Sequence, residues 1–354
     1  MTHLSVARPI ITGMAASLPR KVYLDLNHWY ALGDALAGAP IDPSHIPILK
    51  QLQEHVQRGE IIFPLSSVHY IELTENPRDG QRERAAKAMV LLSGFISMAP
   101  ASKVLDEEMA NELNRRFGRP AFPKKIAKFG LGAGFALGNS RRMVLTGRDE
   151  LTDEQRHDFE ARMGMTLSEF EAEANAATEY WSLRGPTEAM RSQIPNYDPN
   201  AARRVADAEL ADFNVMINTL RTDPEIATRP LDVICARHLA FDVRENYARA
   251  LLSAGFQKRY PFQGREDTTS FLMALPSRRV VTMMHFHYLK DVHRDWKIND
   301  LRDIEHLSIA VPYCDVVVTD KKAWDTAVKR AHLDEEFDTP IFSNLTQLSE
   351  YLAS

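Results

Sequence analysis

Lys21 to Asp25 is a short apolar run that closes on a carboxylate, and behind it Trp29, Tyr30, Leu32 and Leu36 recur at helical spacing. A strand feeding directly into a helix constrains the fold most, because units of this kind pair in parallel and cover both sheet faces with helices. The alternation continues along the chain. Pro43 to Val56 places Ile46, Leu49, Leu52 and Val56 on one helix side, Ile61 to Leu65 reads as a buried strand, and a helix carrying Val68, Ile71 and Glu72 starts at Ser66 or Ser67, either of which can cap it. Near the other end, a helix over Asn299 to Val311 leads to the apolar run Val316 to Thr319, which a helix over Lys322 to Ala331 follows. Pro340 to Phe342 and Leu345 to Leu352 give a last strand and helix. The expected class is α/β with a parallel central sheet.

Between these two parts the pattern changes. Helices are expected at Gln81 to Ile96 and Asp106 to Phe117, then long helical patterns at Asp153 to Leu183, Ala201 to Leu220 and Leu231 to Ala254 with no convincing strand among them, and strand character returns at Val280 to Met284. This divides the chain into a first core part, 20–117, a helical insertion, 118–274, and a second core part, 275–354. The insertion opens on a basic, glycine-rich stretch, Arg115 to Arg148, that holds no Asp or Glu. Arg115, Arg116, Arg119, Lys124, Lys125, Lys128, Arg141 and Arg142 are its candidate nucleic-acid contacts, since phosphates attract Lys and Arg and unstacked bases can lie on Phe117, Phe122, Phe129 and Phe135. The competing reading is a solvated loop whose Phe residues fill core. Its Gly130 to Gly134 segment is followed by no Gly-Lys-Ser/Thr, so a phosphate loop is not expected.

The whole-chain charge is -5, which excludes a strongly basic body that coats nucleic acid and makes any such contact local. Cys235 and Cys314 are far apart and lack zinc-knuckle or redox spacing, which suits a reducing cytoplasm. No apolar run approaches the roughly 20 residues a membrane-spanning helix needs, so a cytoplasmic location with no membrane partner is expected. His285 and His287 would share one face of a strand at Val280 to Met284, but no fourth ligand is evident for a transition metal.

Four carboxylates stand out. Asp25 and Asp320 close strands, Glu72 sits one turn into a helix, and Asp303 lies near a helix start with Asp300 three residues before it on the same face. Ligand sites in open parallel sheets form beyond the carboxyl ends of strands, so Asp25 and Asp320 are candidates for one edge. Carboxylates brought together repel unless a cation neutralises them, and hard oxygen ligands suit Mg2+ or Mn2+. The bland alternatives are helix caps for Asp25 and Asp320, a surface residue for Glu72, first-turn acids for Asp300 and Asp303, and a cap for Asn27.

Asp25-Leu-Asn27 after the opening strand, Ser67-Val-His-Tyr-Ile-Glu72-Leu, and Asn299-Asp300-Leu-Arg-Asp303-Ile-Glu-His306-Leu leading to Tyr313-Cys-Asp315-Val-Val-Val-Thr319-Asp320 resemble the ordered motifs of PIN-like nucleases. The resemblance covers roughly residues 20 to 117 and 275 to 354. It implies a PIN-like α/β/α sandwich and a metal cluster hydrolysing phosphodiesters, usually in RNA. It makes Asp25, Glu72, Asp303 and Asp320 the catalytic and metal-binding acids, with Asn27 and Thr319 as supports. Asp300 competes with Asp303 as third ligand, and His306 is a packing or phosphate-contact residue beside the acids. The long insertion is atypical of the compact toxin members. The function expected is a Mg2+- or Mn2+-dependent nuclease, an endoribonuclease cleaving single-stranded or structured RNA, with RNA expected ahead of DNA. The alternative is a non-catalytic module of the same fold that meets a protein partner, or a second copy, through the insertion.

Overall fold

A computed structural model describes residues 18–117, 124–139, 151–195, 198, 200–255, 262, 264–290 and 296–354. The chain opens with β1 (Arg20–Leu24), α1 (Leu26–Leu36), α2 (His45–Gln57), β2 (Ile61–Ile62), α3 (Ser67–Glu75), α4 (Asp79–Ser93), β3 (Ile96–Met98) and α5 (Ala101–Arg116). Then come β4 (Phe129–Leu131), α6 (Gly132–Ala136), α7 (Asp153–Met163), α8 (Leu167–Arg184), α9 (Glu188–Arg191), α10 (Ala201–Thr222), α11 (Pro224–Ala227), α12 (Pro230–Arg237), α13 (Arg244–Ser253) and α14 (Arg265–Met273). The last part holds α15 (Pro276–Leu289), α16 (Ile298–Tyr313), β5 (Val316–Val318), α17 (Lys321–Trp324), α18 (Leu333–Phe337), β6 (Ile341–Phe342) and α19 (Leu345–Ala353). Wide turns of π geometry, His238–Asp242 and Asp325–Arg330, continue α12 and α17.

The fold is mixed α/β around a four-stranded sheet in the order β2-β1-β5-β6, in which every pairing is parallel. Segments nearly 300 residues apart become neighbours because Val22, Tyr23 and Leu24 stand opposite Val316, Val317 and Val318. Side chains alternate across this ladder as the pleat demands. Val22, Leu24, Val316 and Val318 join one apolar cluster with Trp29, Leu32 and Leu348, whereas Tyr23, Val317 and Ile341 join another with Val280, Met284 and Leu307. Both faces are therefore covered, which is why Val22 to Leu24 and Val316 to Val318 are apolar at every position rather than alternating. Truncating a fully buried anchor such as Leu32 to Ala should cost about 2–5 kcal/mol.

A second, antiparallel pair, β3 with β4, flanks the first sheet through a bridge from Ser97 to Leu65, just beyond β2. Neither strand was expected. The helix expected over Gln81 to Ile96 ends sooner, because Gly94 takes a left-handed conformation that stops α4 at Ser93, and the three residues of β3 are too few to show a strand period. The segment 118–274 accordingly contributes a strand as well as helices, and α10 and α13 pack against α16 and α5 of the flanking parts.

Val280 to Met284 is a correction. It lies inside α15, whose buried residues Ser277, Val280, Val281, Met284, His285 and Tyr288 follow helical spacing from a Pro at the first turn. Two adjacent valines suggested a strand, but the longer periodicity wins. His285 is consequently buried while His287 is only partly so, and the two rings do not share a face. No helix among the described residues is long and apolar enough to cross a membrane.

One close approach fixes α1. A Cβ at Gly33 would meet the backbone of Arg84 and Ala85 at 2.7 Å, so only glycine lets α1 cross α4 at this distance.

Candidate metal centre

Asp25, Asp303 and Asp320 converge: one carboxylate oxygen from each lies within 4.8 Å of the others. Three separate segments supply them. Asp25 follows β1 and caps α1, where its Oδ1 accepts from the Leu26 amide at 2.7 Å. Asp320 follows β5 and caps α17, where its Oδ1 accepts from the Lys322 and Ala323 amides at 2.6 and 2.7 Å. Capping and clustering are thus compatible, because in both residues the cap bonds fall on Oδ1. Asp303 projects from the second turn of α16 and makes no hydrogen bond or ion pair among the described residues.

The electrostatics match the crowding. Burial is the largest cause that pushes the Asp25 carboxyl up to about 6; the charges of Glu72 and Asp320 add to it, and His306 and the Leu26 amide oppose it. Asp303 is pushed up to about 9, again by burial first and then by the charges of Asp25, Asp320, Glu72 and Asp300. No cation is among the largest influences on Asp303.

Strand-end carbonyls around the trio are taken up by buried rings. His28, one turn after Asp25 on α1, donates from Nε2 to the Thr319 carbonyl at 3.1 Å. His69 accepts the Ser66 amide on Nδ1 at 2.9 Å, which leaves the proton on Nε2 to donate to the Leu24 carbonyl at 2.9 Å. Trp29 donates to that same carbonyl at 3.1 Å. The backbone on which Asp25 and Asp320 stand is thereby fixed from both sides.

Glu72 stands beside the trio but outside it. Its Oε1 lies 3.2 Å from Arg302 Nη1 and its Oε2 lies 3.7 Å from His306 Nε2. Burial pushes this carboxyl up, yet His306 and Arg302 outweigh burial and hold it below its ordinary value. His306 is buried, with Nδ1 bonded to the Tyr23 hydroxyl and 3.2 Å from the Ser66 hydroxyl; burial pulls its pKa down, but Glu72, Asp25 and Glu305 raise it overall. Glu72, expected as a direct ligand, is a carboxylate held by an arginine and a histidine next to the trio. Sequence could not show this, since Arg302 comes from a distant segment.

Asp300 accepts from the Lys297 amide at 2.9 Å and from Lys322 Nζ at 2.9 Å, whereas the oxygen that converges with Asp25 and Asp320 comes from Asp303. Asn27 is exposed in the first turn of α1 and reaches no site residue, the cap being Asp25. Thr319 is buried and acts through its carbonyl. Sequence reasoning missed His28, His69 and Arg302; the signal was the spacing of His28 and His69 three residues from Asp25 and Glu72.

Much of the basic stretch is neutralised. Arg115 and Arg116 both grip Glu112 at 2.6 Å, and Lys128 pairs with Glu107. Lys124 and Lys125 are exposed. Arg119, Arg141 and Arg142 lie outside the described residues.

Comparison of the chain with protein-family models, curated proteins and solved structures finds no match in any of the three. The acids themselves carry the functional reading. Three carboxylates with free oxygens form an all-oxygen donor set, which fits a hard divalent cation such as Mg2+ or Mn2+.

Proposed function

We propose that this chain is a metal-dependent nuclease with a PIN-like α/β/α core that cleaves RNA in preference to DNA. The observation that supports it is the convergence of Asp25, Asp303 and Asp320 at the carboxyl ends of adjacent parallel strands. A divalent cation bound there supplies charge neutralisation for a phosphodiester and activation of water. The chain's own contribution is positional: β1 and β5 hold Asp25 and Asp320 side by side, and α16 brings Asp303 across from them. Glu72, kept ionised by Arg302 and His306, maintains negative charge at the edge of the cluster and is placed to orient a water rather than to ligate. Attack by water leaves 5′-phosphate and 3′-hydroxyl ends, and no covalent nucleophile is needed. Lys124 and Lys125 are exposed and stand outside the ion pairs that hold Arg115, Arg116 and Lys128, which leaves them to meet phosphates.

The test is incubation of single-stranded RNA and single-stranded DNA with the full chain in Mg2+, in Mn2+ and in excess chelator. Cleavage confined to the metal arms and faster on RNA is the expected result. Undiminished cleavage in chelator would sink the metal reading, and absence of cleavage in every arm would leave a binding or assembly module of the same fold.

A further inference from the structure

Lys322 is tied at both ends to the walls of the acidic trio. Its amide donates to Asp320 Oδ1 at 2.6 Å, and its ammonium donates to Asp300 Oδ1 at 2.9 Å. Asp300 lies one turn before Asp303 on α16, a spacing that sets the two side chains about 5–6 Å apart on one helix face. The lysine side chain is 51% exposed, whereas the aspartate that holds it is 3% exposed. A buried carboxylate thus fixes the reach of a long, flexible side chain whose charge stays in water. An ammonium has three donors. Asp300 takes one, no other described residue accepts from it, and the rest are left to solvent at the rim of the cluster.

That rim needs a cation with donors to spare. A phosphodiester strand that reaches Asp25, Asp303 and Asp320 meets the carboxylate of Glu72 beside them as well. Arg302 is committed to acids, with Nη1 on Glu72 at 3.2 Å and Nη2 on both oxygens of Glu75 at 2.8 Å. His306 is buried against Tyr23 and Ser66. Lys322 is the cation bonded to this wall that keeps both exposure and unused donors.

We propose that Lys322 binds substrate at this centre: its ammonium, pre-positioned by Asp300, donates to the phosphate that adjoins the one at the aspartates. The inference rests on the nuclease reading and adds a direction to it, because the strand then passes from the three acids toward the first turn of α16.

The binding probe is uridine 3′,5′-bisphosphate, which carries two phosphates on one nucleoside and no diester to cut. Calorimetric titration of the full chain in Mn2+ should give Kd below about 1 mM, and binding should be at least about tenfold weaker in excess chelator. Lys322→Met should weaken the probe at least about tenfold and Lys322→Arg less than about threefold, while Mn2+ affinity stays within about threefold in both. Lys322→Met also strands the buried Asp300 charge, so the same change is made together with Asp300→Asn, and the pair should bind the probe as weakly as the single variant. On single-stranded RNA, Lys322→Met should raise KM about tenfold and change kcat less than about threefold, a split that a purely structural ion pair does not give. Unchanged probe affinity in both Met variants, or Mn2+ affinity lost in step with it, would overturn the assignment whether or not the chain cuts RNA. So would absence of probe binding to wild type at about 20 mM. Probe binding that needs both Mn2+ and Lys322, in a chain that cuts neither RNA nor DNA, would keep the phosphate contact and remove the nuclease reading.

Discussion

The Asp25 amide donates to the Val318 carbonyl at 2.9 Å, which is the last rung between β1 and β5. Past that rung the strands have no further pairing to make, and both chains turn into helices through an aspartate. The two carboxylates are therefore brought together by sheet register, before any packing of helices is considered. Asp303 arrives by a different route, on a helix that packs across the sheet.

Replacing Asp303 by Asn removes a carboxylate displaced to about 9 by burial and by its acidic neighbours. The metal-free variant should melt no lower than wild type, because Asn, at nearly constant shape, does not need the proton that the buried Asp303 must take up on folding. Manganese at about 100 times Kd should stabilise wild type by about 2.7 kcal/mol and the variant far less. Cleavage should fall by at least about 100-fold in Asp303→Asn, Asp25→Asn and Asp320→Asn. Equal manganese-induced shifts in wild type and Asp303→Asn would remove that residue from the centre.

Glu72→Gln should behave in the opposite sense. It leaves Arg302 and His306 with a weaker partner, so melting should drop by the equivalent of about 2–4 kcal/mol even without metal. Manganese affinity should change by no more than a few-fold, since Glu72 is outside the convergent trio. A full loss of the manganese shift with unchanged metal-free stability would restore Glu72 as a ligand.

The metal-free protein should lose stability as pH rises from 6.5 to about 9. Across this window Asp303 keeps a proton in the folded state, where its carboxyl is pushed up to about 9, while the unfolded chain, at its ordinary value of 3.8, has already lost it. The folded state thus binds more protons, and stability falls by about 1.4 kcal/mol per pH unit for each such proton. His306, raised in the fold, acts in the same direction, whereas His69, His238 and His285, all lowered by burial, destabilise only below their ordinary value of 6.5. Melts at several pH values should show a shallower decline in Asp303→Asn, and calorimetry in two buffers of different ionisation enthalpy should show proton release on manganese binding to wild type.

Lys124 and Lys125 changed together to Ala should weaken single-stranded RNA binding and reduce the slope of log affinity against log salt by about 1–2. Lys128→Ala should instead lower the melting temperature, because it leaves Glu107 without its cation. Binding titrations at several salt concentrations separate the two. An unchanged slope in the double variant would return this segment to a solvated loop.

Much of this centre could be read from the chain, and the reasons are specific. Asp25 and Asp320 were legible because each ends an apolar run and starts a helix, so position along the strand already implies position in space. Glu72 and Asp300 were not legible as paired groups. Their partners, Arg302 and Lys322, come from other elements, and a sequence does not show which acid a cation will choose. The strands at Ile96 to Met98 and Phe129 to Leu131 were missed because three residues carry too little period. α15 was misread because a short valine pair drew attention from a longer helical spacing.

The crossing at Gly33 has a consequence for how this centre tolerates mutation. Asp25 is the cap of α1, and α1 lies against α4 through a contact that admits no side chain. Gly33→Ala would add a methyl group against the Arg84 and Ala85 backbone, two turns from the acids, and the helix would have to lift. The carboxylate at its N-terminus would travel with it. A position with no chemistry of its own thereby sets the aim of one that has, and random mutagenesis scored by metal binding should recover Gly33 alongside the aspartates.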